Sequence, residues 1–412
     1  MHYPPRLDRR FWRLWTAAGT SSLGDGMVLV GFPLLALQYT HSAVLIAGVA
    51  MAGAAPALLV ALPAGTLADR VNRRRLMVGI ELFRFALLAG FGVTVLAGRA
   101  SLPLIYATVF LLRGMGVVFD ITAGAALPSI TRPKLLVKAN ANLVTAQMVG
   151  QEIAGQALGG IIFAALSAVP FVADAATFAA SAGLLNRAIP DNAPTKRETS
   201  FLADLREGVR WFIQLPLLRM LTGLIASLAF CQALVVGVLV IYATGTLHMS
   251  HSGYGILLGV SALGTLVAAS AANQLHARFG SGWCIVGAGL AASAAYPILA
   301  ATRSPVAAGG ALALEAAGVV VGNIAARSLR QAVVPADLQG RIASTYQMTI
   351  LTAIPLGSLV GGILAGQIGI RETFLIAGLL QFAVLIATAP RLISRVRRHA
   401  LVPVETRTAI AA

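Results

Sequence analysis

The dominant pattern along this chain is a series of long apolar runs separated by short polar segments. No Asp, Glu, Lys or Arg occurs from Gly26 to Ala68, and none occurs from Met220 to Ala277. A helix needs about 20 apolar residues to cross the hydrocarbon core of a bilayer. Each of these two intervals is therefore long enough for two membrane spans joined by a polar turn.

Extending this pattern over the whole chain predicts an all-α membrane protein with twelve transmembrane helices. The predicted spans are 14–38, 43–64, 76–97, 103–126, 140–164, 168–186, 218–244, 253–275, 283–300, 305–329, 341–365 and 371–390. The polar, glycine-containing segments between them supply the residues that end helices and form turns.

The composition leads to the same class of protein. Of the 412 residues, 58% are hydrophobic and only 11% are charged, whereas soluble domains carry about 25% charged residues. A net charge of +16 would suggest a nucleic-acid partner in a soluble protein. Here the basic residues lie in short segments between apolar runs, so we expect a lipid bilayer around the chain and no nucleic acid.

The basic residues also predict an orientation. One set of loops collects basic clusters such as 6–13 and 70–75, whereas the alternate loops contain only Arg99, Arg303 and Arg371. Loops rich in Lys and Arg stay in the cytoplasm during membrane insertion. We therefore expect a multi-pass protein of the cell inner (plasma) membrane with both termini in the cytoplasm.

The longest polar stretch, Arg187 to Arg219, divides the chain near its middle. Within it, residues 201–212 have apolar positions at helical spacing and charges on the other face, which predicts an amphipathic helix on the membrane surface. The predicted domains are an N-terminal six-helix half at 1–186, a cytoplasmic linker at 187–217, a C-terminal six-helix half at 218–390 and a basic cytoplasmic tail at 391–412.

A weak internal repeat indicates that the two halves are pseudo-symmetric. Residues 130–142 align with 333–345 at an offset of 203, close to half the chain length. Each copy precedes a helix with two glycines four residues apart, and these are Gly155, Gly159, Gly357 and Gly361. Such glycines share one helix face and allow close helix packing.

The segment GTLADRVNRRR at 65–75 resembles the signature of the loop between the second and third helices of the major facilitator superfamily. The signature positions are occupied by Gly65, Asp69, Arg70, Arg73 and Arg74. Gly24-Asp25-Gly26 and VADAATF in the sixth span are similar to the drug:proton antiporter branch, which includes macrolide efflux proteins and the enterobactin exporter. One departure is Gly155-Gln156, which stands where many of these antiporters have Gly-Pro.

The resemblance implies a secondary transporter that exports small amphipathic or cationic compounds, antibiotics among them, by proton antiport and alternating access. Its partners are then a small-molecule substrate, protons and the bilayer, and we expect the monomer to function. Export of an endogenous metabolite such as a siderophore or lipid-like molecule stays open, as does an uncoupled facilitator or lipid flippase. The sequence has no ATP-binding P-loop and no histidine spacing typical of a metal site, so we expect no enzyme activity, cofactor or metal.

Four charged residues near mid-depth are candidates for proton coupling or for the substrate cavity: Asp25, Arg113, Glu152 and Glu315. A charge in the bilayer costs several kcal/mol, so each needs a partner or a function. Burial favours the neutral form of a carboxyl group, and a nearby Arg favours the charged form. A carboxyl group moved between such surroundings would couple protonation to transport. Two alternatives are a fixed Asp25–Arg113 pair and a gating contact at Glu152.

For the cytoplasmic side, the resemblance implies a latch that closes the transporter there. In it, Asp120 would pair with Arg73, and Asp69 would lie near Arg341 at the start of the eleventh span.

Three further charges are predicted to be structural. Glu81 and Arg84 are three residues apart on one span and can pair locally. Asp174 is predicted to anchor its helix near the outer face, within reach of water.

Overall fold

In the computed structural model, the apolar runs of the sequence form long helices. The structure describes residues 7–191, 210, 216–334 and 339–401, with side chains described in these ranges except at 61–63, 65–70, 339–341, 343–345 and 397–401. The predicted amphipathic helix at 201–212 lies, apart from residue 210, outside the described residues.

The helices of the first half of the chain follow the first six predicted spans. They are α1 (Arg9–Leu37), α2 (Ala43–Arg70), α3 (Arg73–Leu96), α4 (Leu102–Ile130), a 3-10 turn (Pro133–Leu135), α5 (Leu136–Met148), a π-helical segment (Val149–Gly155), α6 (Gln156–Ala165) and α7 (Val169–Ala188).

The second half follows the other six spans. Its described helices are α8 (Pro216–Val236), α9 (Leu239–Ile241), a second π-helical segment (Tyr242–Thr246), α10 (His251–Ala301), α11 (Pro305–Val333), α12 (Gln339–Gln367) and α13 (Ile370–Leu401). Several helices run past the predicted limits, as α4 does at Ile130, because a helix can continue beyond the apolar layer that hydropathy detects.

The described helices account for the twelve predicted spans. Ten of them are long and apolar enough to cross a membrane. Of these, α10 contains both the eighth and the ninth span, which are separated at Gly280, where φ is 75° and a side chain would be strained. The fifth span is the continuous series α5, π segment and α6, whose separate pieces are each too short to cross alone. The prediction of a twelve-helix, all-α membrane fold is confirmed.

The chain forms two compact units. Unit 1 contains residues 1–198 and 240–259, and unit 2 contains residues 199–239 and 260–412. In unit 1, α7 packs against both α1 and α3, while α2 packs against α4. In unit 2, α8 packs against both α12 and α13. The predicted domain limits differ from these units in assigning 240–259 to the C-terminal half, and they stay a prediction.

The core of unit 1 and its outer surface are both apolar. Phe11, Met77 and Phe119 belong to one buried cluster that joins α1, α3 and α4. Apolar side chains are also exposed along its helices, with Leu59 65% exposed and Val93 62% exposed. Large apolar surfaces of this kind are unfavourable in water but suit contact with lipid tails, as expected of a multi-pass membrane protein.

Candidate functional site

A buried ion pair joins α1 to α3 inside unit 1. The Arg84 guanidinium donates a hydrogen bond to an Asp25 carboxylate oxygen, and the two groups form a salt bridge. The Arg84 side chain is only 2% exposed, whereas that of Asp25 is 15% exposed. The guanidinium also lies over the Phe178 ring, 3.9 Å from its centroid. The alternative of a fixed Asp25–Arg113 pair is therefore wrong, because Asp25 is paired with Arg84.

Glu81 shares the same guanidinium from one helical turn away. Its Oε1 lies 3.9 Å from Arg84 Nη1, which confirms the predicted local pair. Two hydroxyl groups donate to the same oxygen, Ser21 from α1 at 3.2 Å and Ser181 from α7 at 3.3 Å. Glu81 is completely buried, so this carboxyl group links three helices.

Asp174 brings a third carboxyl group to the cluster from α7. Its side chain is fully buried, and its Oδ1 accepts a hydrogen bond of 2.9 Å from Thr177. A Cβ atom at Gly24 would collide with this carboxylate, so the glycine makes room for it. The prediction of water access at Asp174 is wrong, because the packing of α7 against α1 and α3 turns this side chain inward.

These contacts bring together two sequence motifs that lie far apart in the chain. Gly24-Asp25-Gly26 on α1 faces Asp174 of the VADAATF segment on α7. Gly26 in turn lies against the π segment, where a Cβ would be 2.8 Å from the Gly155 Cα. The three motif residues thus make room for an acid, bind a guanidinium and allow close helix packing.

A polar cavity of about 180 Å³ opens beside this cluster within unit 1. Its lining includes Asp25 of α1, Arg84 of α3, and Arg113 and Asp120 of α4. Arg113 acts electrostatically on Asp120. The cavity therefore places two acids and two guanidinium groups around one small polar space.

Among the described contacts, Asp120 and Arg73 each bond to another group and not to each other, so the expected pair is not observed. Asp120 accepts a hydrogen bond of 3.2 Å from Gln147 of α5, and Arg73 donates to the Ala125 carbonyl oxygen at 2.9 Å. Asp120 and Ala125 lie on α4, about 1.4 helical turns apart. Arg74 instead bonds the Asn186 side chain at 2.6 Å and 2.9 Å, which ties α3 to the end of α7.

The remaining residues of the predicted latch are only partly described. Gly65, Asp69 and Arg70 lie in the last turns of α2, and Arg341 lies in the first turn of α12. Their side chains are outside the described set, so the Asp69–Arg341 contact stays a prediction.

Glu152 lies in the π segment that interrupts the fifth span. Its Oε2 accepts a hydrogen bond of 3.1 Å from Gln156, the residue that replaces the proline of the related antiporters. The charge of Arg113 acts on Glu152. π segments within α-helices are frequent at functional sites, and here Gln151 of the same segment lines the polar cavity.

Unit 2 holds its own buried acid, Glu315 on α11. The side chain is 4% exposed, and its Oε1 accepts hydrogen bonds from Gln232 at 3.0 Å and from Tyr296 at 3.3 Å. Among the described residues, no Lys, Arg or His forms an ion pair with Glu315. The structure thus surrounds this acid with uncharged donors.

The two predicted glycine pairs make the same kind of contact in each unit. Gly159 lies against α1, where a Cβ would be 2.7 Å from the Met27 Cα. Gly361 lies against α8, where a Cβ would be 2.8 Å from the Leu234 Cα. Gly155 and Gly357 make equivalent close contacts one turn earlier, against Leu23 and Phe230.

Within the part of the chain that the structure describes, no group of three or more His, Cys, Asp or Glu residues is arranged to hold a metal ion.

The cluster around Arg84 was not identified as a site from the sequence. The available signal was the presence of Glu81, Arg84 and Asp174 within apolar spans, which is costly unless the charges meet.

Comparisons with known proteins agree with this architecture. A family model described as a transmembrane secretion effector, a major facilitator family, matches residues 2–407. The chain is 29% identical over 410 residues to the multidrug efflux pump Tap of Mycolicibacterium fortuitum, covering 91% of this chain and 94% of Tap. It is 27% identical to YfiS, an uncharacterised MFS-type transporter of Bacillus subtilis (strain 168), covering 96% of each chain.

Solved structures show the same fold at lower sequence identity. A bacterial homologue of the iron transporter ferroportin, in an inward-facing state, matches with a TM-score of 0.71 and 19% identity, over 93% of this chain and 100% of that one. The family match covers nearly the whole sequence and the helices have the corresponding arrangement. The chain therefore belongs to the transmembrane secretion effector family of the major facilitator superfamily and is a multi-pass membrane transporter, not an enzyme.

Proposed function

We propose that this transporter exports small amphipathic or cationic compounds, antibiotics among them, in exchange for protons. The observation that carries the proposal is the position of Asp25, which lines a polar cavity and at the same time binds the buried Arg84. A carboxyl group in that position can exchange its guanidinium partner for a cationic substrate or a proton. The relative Tap is named as a multidrug efflux pump, which supports the same substrate class.

Glu315 is proposed as a second acid that binds a proton or the cationic part of a substrate. It is buried among uncharged donors, and a carboxylate without a cationic partner is costly in an apolar medium. Glu152 is proposed to adjust the cavity through its interaction with Arg113.

The remaining parts of the proposal concern topology and gating. The protein would lie in the plasma membrane with both termini in the cytoplasm, because basic residues gather in one set of loops. It would work as a monomer in which two six-helix halves alternate access to the substrate site. Asp69, Arg70 and Arg73 at the end of α2 and the start of α3, together with Arg341, would close the cytoplasmic side.

The test is proton flux in proteoliposomes on addition of a panel of cationic and neutral amphiphiles. We expect flux with cations for the native protein, and loss of that flux for Asp25→Asn and Glu315→Gln. Glu372→Gln is the matched control, because Glu372 is an exposed acid in the first turn of α13. Substrate movement without proton flux, unchanged in both variants, would instead identify an uncoupled facilitator or flippase.

The same assay separates drug export from export of an endogenous metabolite. A preference for cations over neutral compounds that disappears in Asp25→Asn supports drug export. Transport of neutral or anionic metabolites that is indifferent to this change supports the metabolite exporter.

A further inference from the structure

Three carboxyl groups surround one guanidinium in unit 1, and the proposed function so far uses only one of them. Asp25 is partly exposed to the cavity, whereas Glu81 and Asp174 are both 0% exposed. Arg84 forms salt bridges with Asp25 and Glu81, and it interacts electrostatically with Asp174. The question is what the two fully buried acids do.

Charge balance constrains the protonation of this cluster. If all three acids were ionised, one guanidinium would leave two negative charges uncompensated in a buried site. An isolated carboxylate in an apolar medium is so unfavourable that the group takes up a proton instead. With Asp25 bound to Arg84, neutrality is reached when both Glu81 and Asp174 are protonated.

The hydrogen bonds of the two acids fit neutral groups. In each, one oxygen accepts from hydroxyl groups, Ser21 and Ser181 for Glu81 and Thr177 for Asp174. The other oxygen of each acid, Glu81 Oε2 and Asp174 Oδ2, has no hydrogen-bond partner among the described residues. Neither oxygen has a donor that would offset the burial of a negative charge, so the neutral form, with its proton on this oxygen, is the less costly one.

Further charged groups lie near the cluster on neighbouring elements. α4 contributes Arg113 and Asp120 across the cavity, and the π segment contributes Glu152, whose charge interacts with Arg113. Glu81 and Asp174 do not line the cavity, while Arg84 does. Ser21 also lines the cavity and donates a hydrogen bond to Glu81, so a proton moving between cavity water and Glu81 passes the Ser21 hydroxyl or the Arg84 guanidinium.

We propose that Glu81 and Asp174 form the proton store of this transporter, and that Arg84 shifts its ion pair between Asp25 and this store. The inference rests on the proposed proton antiport. A monovalent cation binds Asp25 and displaces Arg84. One carboxyl O–H of the store then releases its proton through the cavity, and the carboxylate that remains pairs with Arg84. One positive charge enters and one leaves, so the cluster stays neutral.

This exchange predicts a stoichiometry. A monovalent organic cation releases one proton from the store, and a divalent organic cation releases two, because two protonated acids are available. Since the two acids interact with each other, the released protons belong to the pair and not to either residue alone.

The test measures proton release from the purified full-length protein in weakly buffered detergent solution with a pH indicator dye. The probe is tetraphenylphosphonium, added to the native protein, to the double variant Glu81→Gln/Asp174→Asn and to the control Glu372→Gln. We expect release from the native protein and the control, and about tenfold less per bound probe from the double variant, measured at saturating probe. The affinity of the double variant for the probe should also fall, by about tenfold or more, because the displaced Arg84 finds no store carboxylate to pair with.

Two outcomes contradict the inference in different ways. If the double variant releases as many protons as the native protein, the store is not Glu81 and Asp174, and antiport itself survives. If the native protein binds tetraphenylphosphonium and releases no proton, the antiport fails and the store fails with it.

An infrared measurement tests the store without any substrate. Protonated carboxyl groups have a carbonyl absorption distinct from that of carboxylates, and at neutral pH we expect this band to weaken in Glu81→Gln and in Asp174→Asn. Both changes mimic the protonated acid in shape and charge, so we also expect both variants to fold with native thermal stability. An unchanged band, or a variant that fails to fold, indicates ionised structural acids and overturns the proposal.

Discussion

The two units of this transporter bury carboxyl groups in different ways. In unit 1, Asp25 and Glu81 share the guanidinium of Arg84. In unit 2, Glu315 accepts hydrogen bonds from Gln232 and Tyr296, which carry no charge. The helix packing repeats between the units, whereas the treatment of charge does not. The units therefore share glycine-mediated helix packing and differ in the groups that surround their buried acids.

The difference also determines how the removal of one charge changes the stability of each unit. Removing one charge from the unit 1 cluster leaves another buried charge without its partner, and such a loss is strongly destabilising. Removing the charge of Glu315 leaves only neutral donors. Substitutions that remove one group at a time therefore test the difference between the two units.

The strongest test of the unit 1 cluster is Arg84→Met. It removes the one cation paired with Asp25 and Glu81 in the described structure. We expect the free energy of unfolding to fall by about 3–5 kcal/mol, measured by denaturant titration in detergent micelles, together with loss of transport. Arg99→Met is the control, since Arg99 is exposed in the turn after α3, and equal stability of both variants would contradict an ion-pair role for Arg84.

The shared glycine-mediated packing predicts equal effects in the two units. Gly159→Ala and Gly361→Ala each place a Cβ against the backbone of a neighbouring helix, so each should lower stability by about 1–3 kcal/mol. Gly183→Ala and Gly223→Ala are the matched controls, because a Cβ at either position meets nothing within 4 Å. Thermal unfolding that is sensitive to only one of the test glycines would show that the two units do not share this packing.

Neutralising one buried acid in each unit tests the difference in charge directly. Asp25→Asn removes one carboxylate from Arg84 but leaves Glu81 3.9 Å from the guanidinium, so we expect a smaller loss than for Arg84→Met, about 2 kcal/mol in unfolding free energy. Glu315→Gln keeps the shape of the side chain and leaves no charge unpaired, so its cost should be below about 1 kcal/mol. The two variants should be compared by thermal unfolding at one pH. A larger cost for Glu315→Gln would mean that the Glu315 carboxylate is ionised and bound to a cation.

The smallest expected effect concerns Tyr296. The change Tyr296→Phe removes one of the two donors to Glu315 and should cost about 0.5 kcal/mol, because Gln232 still donates to the same oxygen. The readout is the affinity for a cationic substrate. This affinity should rise in Tyr296→Phe, because the tyrosine hydroxyl competes with a cation for the same oxygen. Tyr254→Phe is the control, as Tyr254 is another buried tyrosine of α10. Equal affinities in the two variants would count against a cation site at Glu315.

The number of spans could be predicted from sequence because apolar residues favour the bilayer over water. Each apolar run is also long enough to be recognised as a membrane span. The placement of charges along the helices was also predictable, as was the Glu81–Arg84 pair, since three residues along a helix fix a contact. These conclusions depend on local spacing alone.

The partner of Asp25 depends on packing between helices, which local spacing does not contain. Arg84 lies 59 residues from Asp25, and its direction is set by how α1, α3 and α7 rotate against one another. A rotation of about 100° per residue means that an error of one residue changes the neighbouring helix. The π segment at Val149–Gly155 adds a local shift of this kind, and no spacing rule predicted it.

The burial of both cysteines has a practical consequence for measuring motion. The chain has only Cys231 and Cys284, which are 0% and 6% exposed. Thiols introduced at exposed positions can therefore be labelled with fluorophores or spin probes while the native pair stays largely unreacted. Cys231 adjoins Gln232, which donates a hydrogen bond to Glu315. The rate at which a small thiol reagent modifies Cys231 would therefore report how often unit 2 opens.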